Sequence, residues 1–77
     1  MFFVDKCVLQ CIRKAYPVGC RVELVSMNDG QAPPPGTRGT VYCVDDAGTI
    51  HVKWDNGGRL GVVYKEDVCR RIDREDG

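Results

Sequence analysis

The sequence carries no surplus of either charge, since 11 lysine and arginine residues balance 11 aspartate and glutamate residues. Proteins that bind nucleic acid usually have a basic surplus, because their cations displace counterions from the phosphates. A basic stripe formed by Arg70, Arg71 and Arg74 would be diluted by the acidic residues around it. The missing surplus therefore disfavours a nucleic-acid-binding protein and leaves it as an alternative.

Long apolar runs are also missing, because the opening MFFV stops at Asp5 and the segment after it carries Lys6, Arg13 and Lys14. A membrane-spanning helix needs about 20 predominantly apolar residues. We therefore expect neither a membrane span nor a signal peptide, and no membrane partner. The five cysteines are an odd number with no export signal before them, so we expect reduced thiols in a cytoplasmic protein.

Residue patterns for catalysis are scarce. His51 is the only histidine, and it falls on an outward position of a predicted strand with no partner indicated, so a thiol nucleophile would have no oriented base. Asp45 and Asp46 are adjacent, so their carboxylates point apart and favour a turn over acid–base chemistry. We predict that the protein is not an enzyme and has no catalytic residue.

Metal-binding patterns are scarce as well. Cys7 and Cys11 lie one helical turn apart, and zinc could in principle take them together with further cysteines or the histidine. No pair with CxxC spacing is present, and cysteine is also a common small core residue. We expect no cofactor and no metal site, and zinc binding is the least favoured alternative.

The chain does contain one helical pattern and five extended ones. Apolar residues at spacings of three and four predict a helix over residues 4–15, ended by Pro17, with a buried set of Phe2, Phe3, Val8 and Ile12. A helix this short is marginal in water by itself, so it must dock on the rest of the chain. Alternating apolar and polar residues predict strands at 21–26, 40–44, 49–54, 59–63 and 68–72.

The segment WDNGG between the third and fourth strands sets the register of their hairpin. A two-residue loop would mix a charged residue into the apolar face, so we predict a three-residue loop over residues 56–58 with a bulge. The predicted pairs are then Trp54 with Leu60, Val52 with Val62 and Asp55 with Arg59.

Five short strands are too few for a sandwich and indicate a bent sheet that closes on itself. Val41 and Val44 are both apolar but three residues apart, which predicts a bulge or a strong bend near Tyr42 and Cys43 in the second strand. The predicted fold is mainly β, a small five-stranded SH3-like barrel with one N-terminal α-helix. It forms a single domain over residues 1–77, with the helix at 1–16, the barrel at 19–72 and a flexible tail at 73–77.

Several segments are specific when they are taken together: GCRVELV at 19–25, APPPGT at 32–37, GTV at 39–41, VDD at 44–46 and HVKWDNG at 51–57. From Tyr16 to Ile72 the chain resembles the small bacterial and phage family known as domain of unknown function 4314, and the preceding helix is also typical of it. The resemblance implies a short protein of Gram-positive bacteria and their mobile elements. It implies no activity and no functional residue.

An aromatic and proline constellation is the most informative candidate site. In the predicted fold three aromatic residues fall near a stiff proline loop, and SH3-like barrels hold extended peptides in aromatic grooves beside such loops. The simpler interpretation, which the burial habits of aromatic residues favour, is that the rings close the barrel and the prolines only lower the entropy of the unfolded chain. The candidate binding residues are Pro33, Pro34, Pro35, Tyr42, Trp54, Arg59 and Tyr64.

These observations favour a non-catalytic protein-interaction or adaptor module of bacteria or their mobile elements, with an unidentified protein or peptide as its partner. A nucleic-acid-binding module is the alternative, because SH3-like barrels of the ribosomal and transcription type bind RNA or DNA through their loops. The first helix could cap its own barrel or that of a second copy, so a homodimer through this helix is left open.

Overall fold

A computed structural model describes residues 5–28 and 30–72 of the chain. Within these ranges lie one helix, α1 (Lys6–Ala15), and five strands, β1 (Arg21–Ser26), β2 (Arg38–Val44), β3 (Ile50–Trp54), β4 (Gly61–Val62) and β5 (Val68–Ile72). Each predicted element is present, with ends that differ from the prediction by two residues or fewer. The predicted flexible tail and the predicted burial of Phe2 and Phe3 lie outside the described residues.

Helix α1 begins where a side chain can satisfy one of its first amides. The Asp5 carboxylate accepts a hydrogen bond from the Cys7 amide at 2.8 Å, which is the usual role of an N-cap residue. Arg13 and Lys14 occupy the last turn, where their charges suit the negative end of the helix dipole. Ile12 is buried in the core, as predicted.

The five strands form one antiparallel sheet in the order β4-β3-β2-β1-β5. The prediction of a mainly β chain with five strands and one N-terminal helix is therefore confirmed. Closure into a barrel is not confirmed, because β4 and β5 lie at opposite edges of the sheet and no pairing between them is found within the described residues. Strand β4 is two residues long, which leaves little backbone for such a pairing.

The core lies on one face of the sheet and receives at least one side chain from α1 and from every strand. Its members are Ile12, Val22, Leu24, Val41, Ile50, Val52, Trp54, Val62 and Cys69. In β3 the alternate residues His51 and Lys53 point to the opposite face, as the two-residue period of a strand requires.

Strand β2 contains the predicted bulge. Its register against β3 shifts between Val41 and Cys43, so Tyr42 is the extra residue. Val41 keeps its place in the core at 1% exposure, whereas Tyr42 is 45% exposed. The bulge thus brings an aromatic ring to the surface of the sheet.

The register predicted for the β3–β4 hairpin is wrong by two residues. Ile50 pairs with Val62, and the Trp54 amide donates to the Gly58 carbonyl at 2.8 Å, so the loop comprises residues 55–57. A shift of two leaves every side chain on its predicted face, because side chains alternate with a period of two. The residues that the predicted pairs place on the apolar side, Val52, Trp54, Leu60 and Val62, therefore still share that side.

The turn chemistry explains this difference in register. Gly57 has a φ of +99°, which favours glycine, and its amide donates to the Trp54 carbonyl at 2.9 Å. The Trp54 indole Nε1 donates to the Leu60 carbonyl at 2.9 Å, which holds the residues before β4 outside the regular ladder. Asp55 lies in the turn and pairs with Arg21 on β1, so its predicted pairing with Arg59 is wrong.

Candidate functional site

The seven candidate binding residues do not form one site. Trp54 is 1% exposed and belongs to the core, and Pro33 is buried as well. Pro34 and Pro35 are exposed in the loop before β2. The Pro34 carbonyl accepts hydrogen bonds from the amide of Thr37 at 3.1 Å and from its hydroxyl at 2.7 Å. Core packing and loop contacts therefore account for the positions of Trp54 and Pro34.

Tyr42 and Arg59 are the two candidates that the structure brings together. The Arg59 guanidinium carbon lies 6.0 Å from the centroid of the Tyr42 ring, at the outer limit of a cation–π contact. The centroid of the His51 ring lies 5.9 Å from the centroid of the Tyr42 ring. Tyr42 also lines a shallow cavity of about 430 Å³ with Pro17 and Val18. We refer to Tyr42, Arg59, Pro17 and Val18 as the Tyr42 surface.

Sequence reasoning missed the partner of His51. Its Nε2 lies 2.9 Å from Oδ2 of the Asp45 carboxylate. The other carboxylate oxygen accepts the amides of Ala47 and Thr49, each at 3.0 Å, so the turn role predicted for Asp45 is confirmed. The spacing of six residues across a tight turn is the signal that could have revealed this pair, since it places the two side chains at the same end of a hairpin.

In the residues that the structure describes, the hydrogen bonds of the His51–Asp45 pair include no thiol. Cys43 pairs with His51 across β2 and β3, yet within residues 5–28 and 30–72 no hydrogen bond joins the thiol to the imidazole. The side chains of His51 and Asp45 are 33% and 42% exposed, so water reaches both. The pair instead fastens the start of β3 to the turn that precedes it.

We expect the Asp45 contacts to make folding stability sensitive to acid. Partial burial alone would raise the pKa of Asp45, but the hydrogen bonds from His51, Thr49 and Ala47 outweigh it and hold the pKa below its ordinary value of 3.8. A carboxyl whose folded pKa is depressed contributes stability above its unfolded pKa and loses it as the pH falls through the folded pKa. Urea unfolding from pH 7 to pH 2 should therefore show a decline in the free energy of unfolding below about pH 4.

The variant Asp45→Asn separates this contribution from the others. It should be less stable than the wild type at pH 7 and should decline less steeply in acid. The hydrogen bond from Arg21 lowers the pKa of Asp55, so part of the acid sensitivity should remain. An unchanged acid slope in Asp45→Asn would contradict the assignment.

Tyr64 lies away from Tyr42, in an apolar groove along α1. The groove has a volume of about 390 Å³ and is lined by Cys7, Val8, Cys11, Ile12, Ala15, Tyr16 and Tyr64. The Tyr16 hydroxyl donates to the Cys69 carbonyl at 3.3 Å and so ties the end of α1 to β5. A homodimer through α1 would use this groove, and it stays a prediction.

The thiols are divided between surface and core. Cys7, Cys11 and Cys43 are exposed, whereas Cys69 is buried. Burial raises the pKa of Cys69 to about 11, and the nearby Cys20 acts in the same direction. Cys69 is therefore a neutral thiol at pH 7 and packs as a small apolar group.

Two kinds of feature are not found in the part of the chain that the structure describes. Residues 5–28 and 30–72 hold no group of three or more histidine, cysteine or acidic side chains placed to bind a metal ion. In the same ranges there is no helix with the length and apolar character needed to cross a bilayer.

Comparison with known proteins gives one result. Residues 5–72 match the family described as Domain of unknown function (DUF4314). The match covers α1 and all five strands. Neither a curated protein nor a solved structure matches the chain.

Proposed function

The chain belongs to the Domain of unknown function (DUF4314) family, and for this member we propose a non-catalytic module that binds another protein through the Tyr42 surface. In this proposal it acts as an adaptor in the cytoplasm of bacteria or within their mobile elements. The observation that carries the proposal is the exposed Tyr42 ring, displaced from the ladder by a bulge and contacted by Arg59.

The chemistry of the Tyr42 surface supports a protein partner. Tyrosine and arginine are among the residues that contribute most to protein–protein binding energy, because each combines a large contact area with polar groups. Val18 is 72% exposed and Tyr42 is 45% exposed, so apolar area is available to a partner. Pro17 and Val18 lie in the short connection between α1 and β1, which limits the entropy that binding would cost.

The non-catalytic part of the proposal rests on the state of the reactive groups. His51 is engaged by Asp45, and the buried Cys69 thiol is neutral at pH 7. The hydrogen bond to Asp45 explains the position of the His51 ring, and no catalytic role is needed to explain it. Binding is the function that the exposed residues support best.

The proposal is tested by capture of partners from a bacterial lysate, followed by a measurement of the affinity of each captured protein. The double variant Tyr42→Ala, Val18→Ser removes the aromatic ring and the apolar group of the Tyr42 surface. Truncation of side chains at the centre of an interface costs about 2 kcal/mol or more of binding free energy. The dissociation constant should therefore rise roughly thirtyfold. Calorimetric titration of the purified pair measures this change.

A matched control is Val25→Ser, which removes a similar apolar group from the exposed bulge of β1 at 44% exposure. This variant should retain each partner with an affinity close to that of the wild type. If every captured protein binds the double variant as tightly as it binds the control, the Tyr42 surface is not the binding site.

A further inference from the structure

A cavity of about 360 Å³ lies between the two edge strands of the sheet and α1. Val62 of β4 and Val68 of β5 line it from the two edges. Helix α1 contributes Ile12, and β3 contributes Ile50. The cavity thus occupies the gap that a pairing of β4 with β5 would close. We refer to it as the edge cavity.

The edge cavity reaches the hydrophobic core. Its lining includes four core members, Ile12, Ile50, Val62 and Cys69, whereas the cavity at the Tyr42 surface is lined by none of the core residues. Sites for small molecules are concave, mostly apolar and about 300–1,000 Å³ in volume. The depth and volume of the edge cavity are therefore those of a small-molecule site.

Polar side chains on the wall of the edge cavity make hydrogen bonds within the protein. The two carboxylate oxygens of Asp67 accept the amides of Asn28 at 2.9 Å and Val63 at 3.0 Å. The Tyr16 hydroxyl donates to the Cys69 carbonyl, and the Cys69 thiol is neutral at pH 7 because burial raises its pKa to about 11. The wall therefore offers a ligand mainly apolar contacts.

The bend between β4 and β5 forms a fixed part of the wall. Lys65 has a φ of +71°, and it is the one non-glycine residue of ranges 5–28 and 30–72 with a positive φ. Such outliers occur often at ligand sites, where the surrounding structure holds them in place. Here the amides of Glu66 and Asp67 donate to the Val63 carbonyl at 3.1 and 2.9 Å. The Lys65 ammonium lies 5.7 Å from the ring centroid of Tyr64, a candidate binding residue that also lines the cavity.

From the depth, the volume and the apolar wall we propose that the edge cavity binds a small uncharged apolar molecule, aromatic or aliphatic. Binding removes apolar surface of the ligand and of the core from water, which is the driving force. A charged ligand is disfavoured, because its charge would lose water against apolar side chains. The edge cavity shares no residue with the Tyr42 surface, so the inference goes beyond the proposed function and does not depend on it.

A second copy docked on the groove along α1 would cover the edge cavity, because both are lined by Ile12, Tyr16 and Tyr64. One turn of an α-helix, about 10 Å across and about 5.4 Å long, has a volume of roughly 420 Å³. This exceeds the 360 Å³ of the edge cavity, so a small molecule fits better than a helix of another chain. The apolar segment MFFV at residues 1–4 is another candidate occupant, and the test distinguishes it.

The test is a fluorescence titration of the full chain with N-phenylnaphthylamine, an uncharged probe whose emission rises in apolar surroundings. The wild type should bind the probe saturably, and octanol should displace it at a lower concentration than octanoate does. Bound probe should also raise the midpoint of thermal unfolding, because a ligand of the folded state stabilises that state. A probe that binds a partly unfolded chain would lower the midpoint instead.

The variant Val68→Trp places an indole at the mouth of the edge cavity, where Val68 is 51% exposed. It should raise the dissociation constant of the probe by about tenfold or more, because the indole takes up the space that the probe needs. The matched control is Val25→Trp, the same change at a residue of β1 that is 44% exposed and does not line the cavity. Its dissociation constant should change by less than about twofold. Circular dichroism confirms that both variants are folded.

Nuclear magnetic resonance locates the bound probe. The amide signals of Ile50, Val62 and Cys69 should shift on titration, whereas those of Tyr42 and Val18 should not. The variant Tyr42→Ala, Val18→Ser should bind the probe like the wild type, which separates this inference from the proposed function.

Four results would overturn the inference. They are the absence of saturable binding by the wild type, equal affinity of the two tryptophan variants, stronger displacement by octanoate than by octanol, and binding that weakens as the protein concentration rises. The last of these would assign the cavity to a second copy. Binding by a variant that begins at Asp5 but not by the wild type would assign it to residues 1–4.

Discussion

Alanine in place of Trp54 is expected to leave most of the chain unfolded in the absence of denaturant. Trp54 is the largest fully buried side chain, at 1% exposure, and it packs at the centre of the only core found in the described residues. Removal of a buried aromatic side chain lowers the free energy of unfolding by about 3–5 kcal/mol. The protein loses the favourable free energy of transferring the ring from water to the core, and a cavity remains. A domain of this size has a total stability of about 5 kcal/mol or less.

Far-ultraviolet circular dichroism during urea unfolding is the appropriate measurement, because Trp54 is the single tryptophan and the variant has no indole fluorescence. Trp54→Phe is an informative comparison, since it keeps most of the apolar volume and removes the Nε1 donor to the Leu60 carbonyl. It should lose less stability than Trp54→Ala. A Trp54→Ala variant that stays within about 1 kcal/mol of the wild type would show that the indole does not organise the core.

Alanine in place of Gly39 is expected to produce the second large loss. A β-carbon at this position would lie 2.6 Å from Val52 Cγ1, 2.8 Å from the Lys53 carbonyl oxygen and 3.0 Å from Trp54 Cα. Two of these atoms belong to the backbone of β3, so a change of rotamer cannot relieve the clash. Overpacking of this kind costs about 1–3 kcal/mol, and we expect the upper end because the paired strands must move apart.

Gly30→Ala is the matched control for Gly39→Ala, since a β-carbon there meets no atom within 4 Å. Its stability should stay within about 0.5 kcal/mol of the wild type. Urea titrations of the two variants side by side measure the difference. Equal stability of both would mean that β2 and β3 approach each other less closely than the structure has them.

Much of the fold could be predicted because it follows from local patterns. The alternation in β1 and β3 identified the buried positions Val22, Leu24, Val52 and Trp54, and all four are in the core. The three-residue spacing of Val41 and Val44 indicated a bulge or a strong bend near Tyr42 and Cys43, and the structure has a bulge at Tyr42. These features depend on the residues within one strand and on the period of two that its geometry imposes.

The hairpin register and the candidate site needed more than local patterns. The predicted loop, residues 56–58, lies one residue later than the observed loop, residues 55–57. Sequence patterns do not reveal the hydrogen bond from the Trp54 indole to the Leu60 carbonyl or the ion pair between Asp55 and Arg21. The candidate residues were chosen by type, whereas burial separates Trp54 and Pro33 from the surface. Only Tyr42 and Arg59 meet, through a contact that depends on the bulge and on the loop before β4.

The sequence by itself determined the helix and strands of this protein, the buried face of each strand and the family to which the chain belongs. These properties follow from the order and spacing of residues along the chain. Only the tertiary structure decided that β4 and β5 lie at opposite edges of the sheet and that Asp45 holds His51. Such arrangements depend on residues from different elements of the fold. Their distances depend on the strand register and on close packing across the whole sheet. The periodicity of residues within one strand determines neither of these.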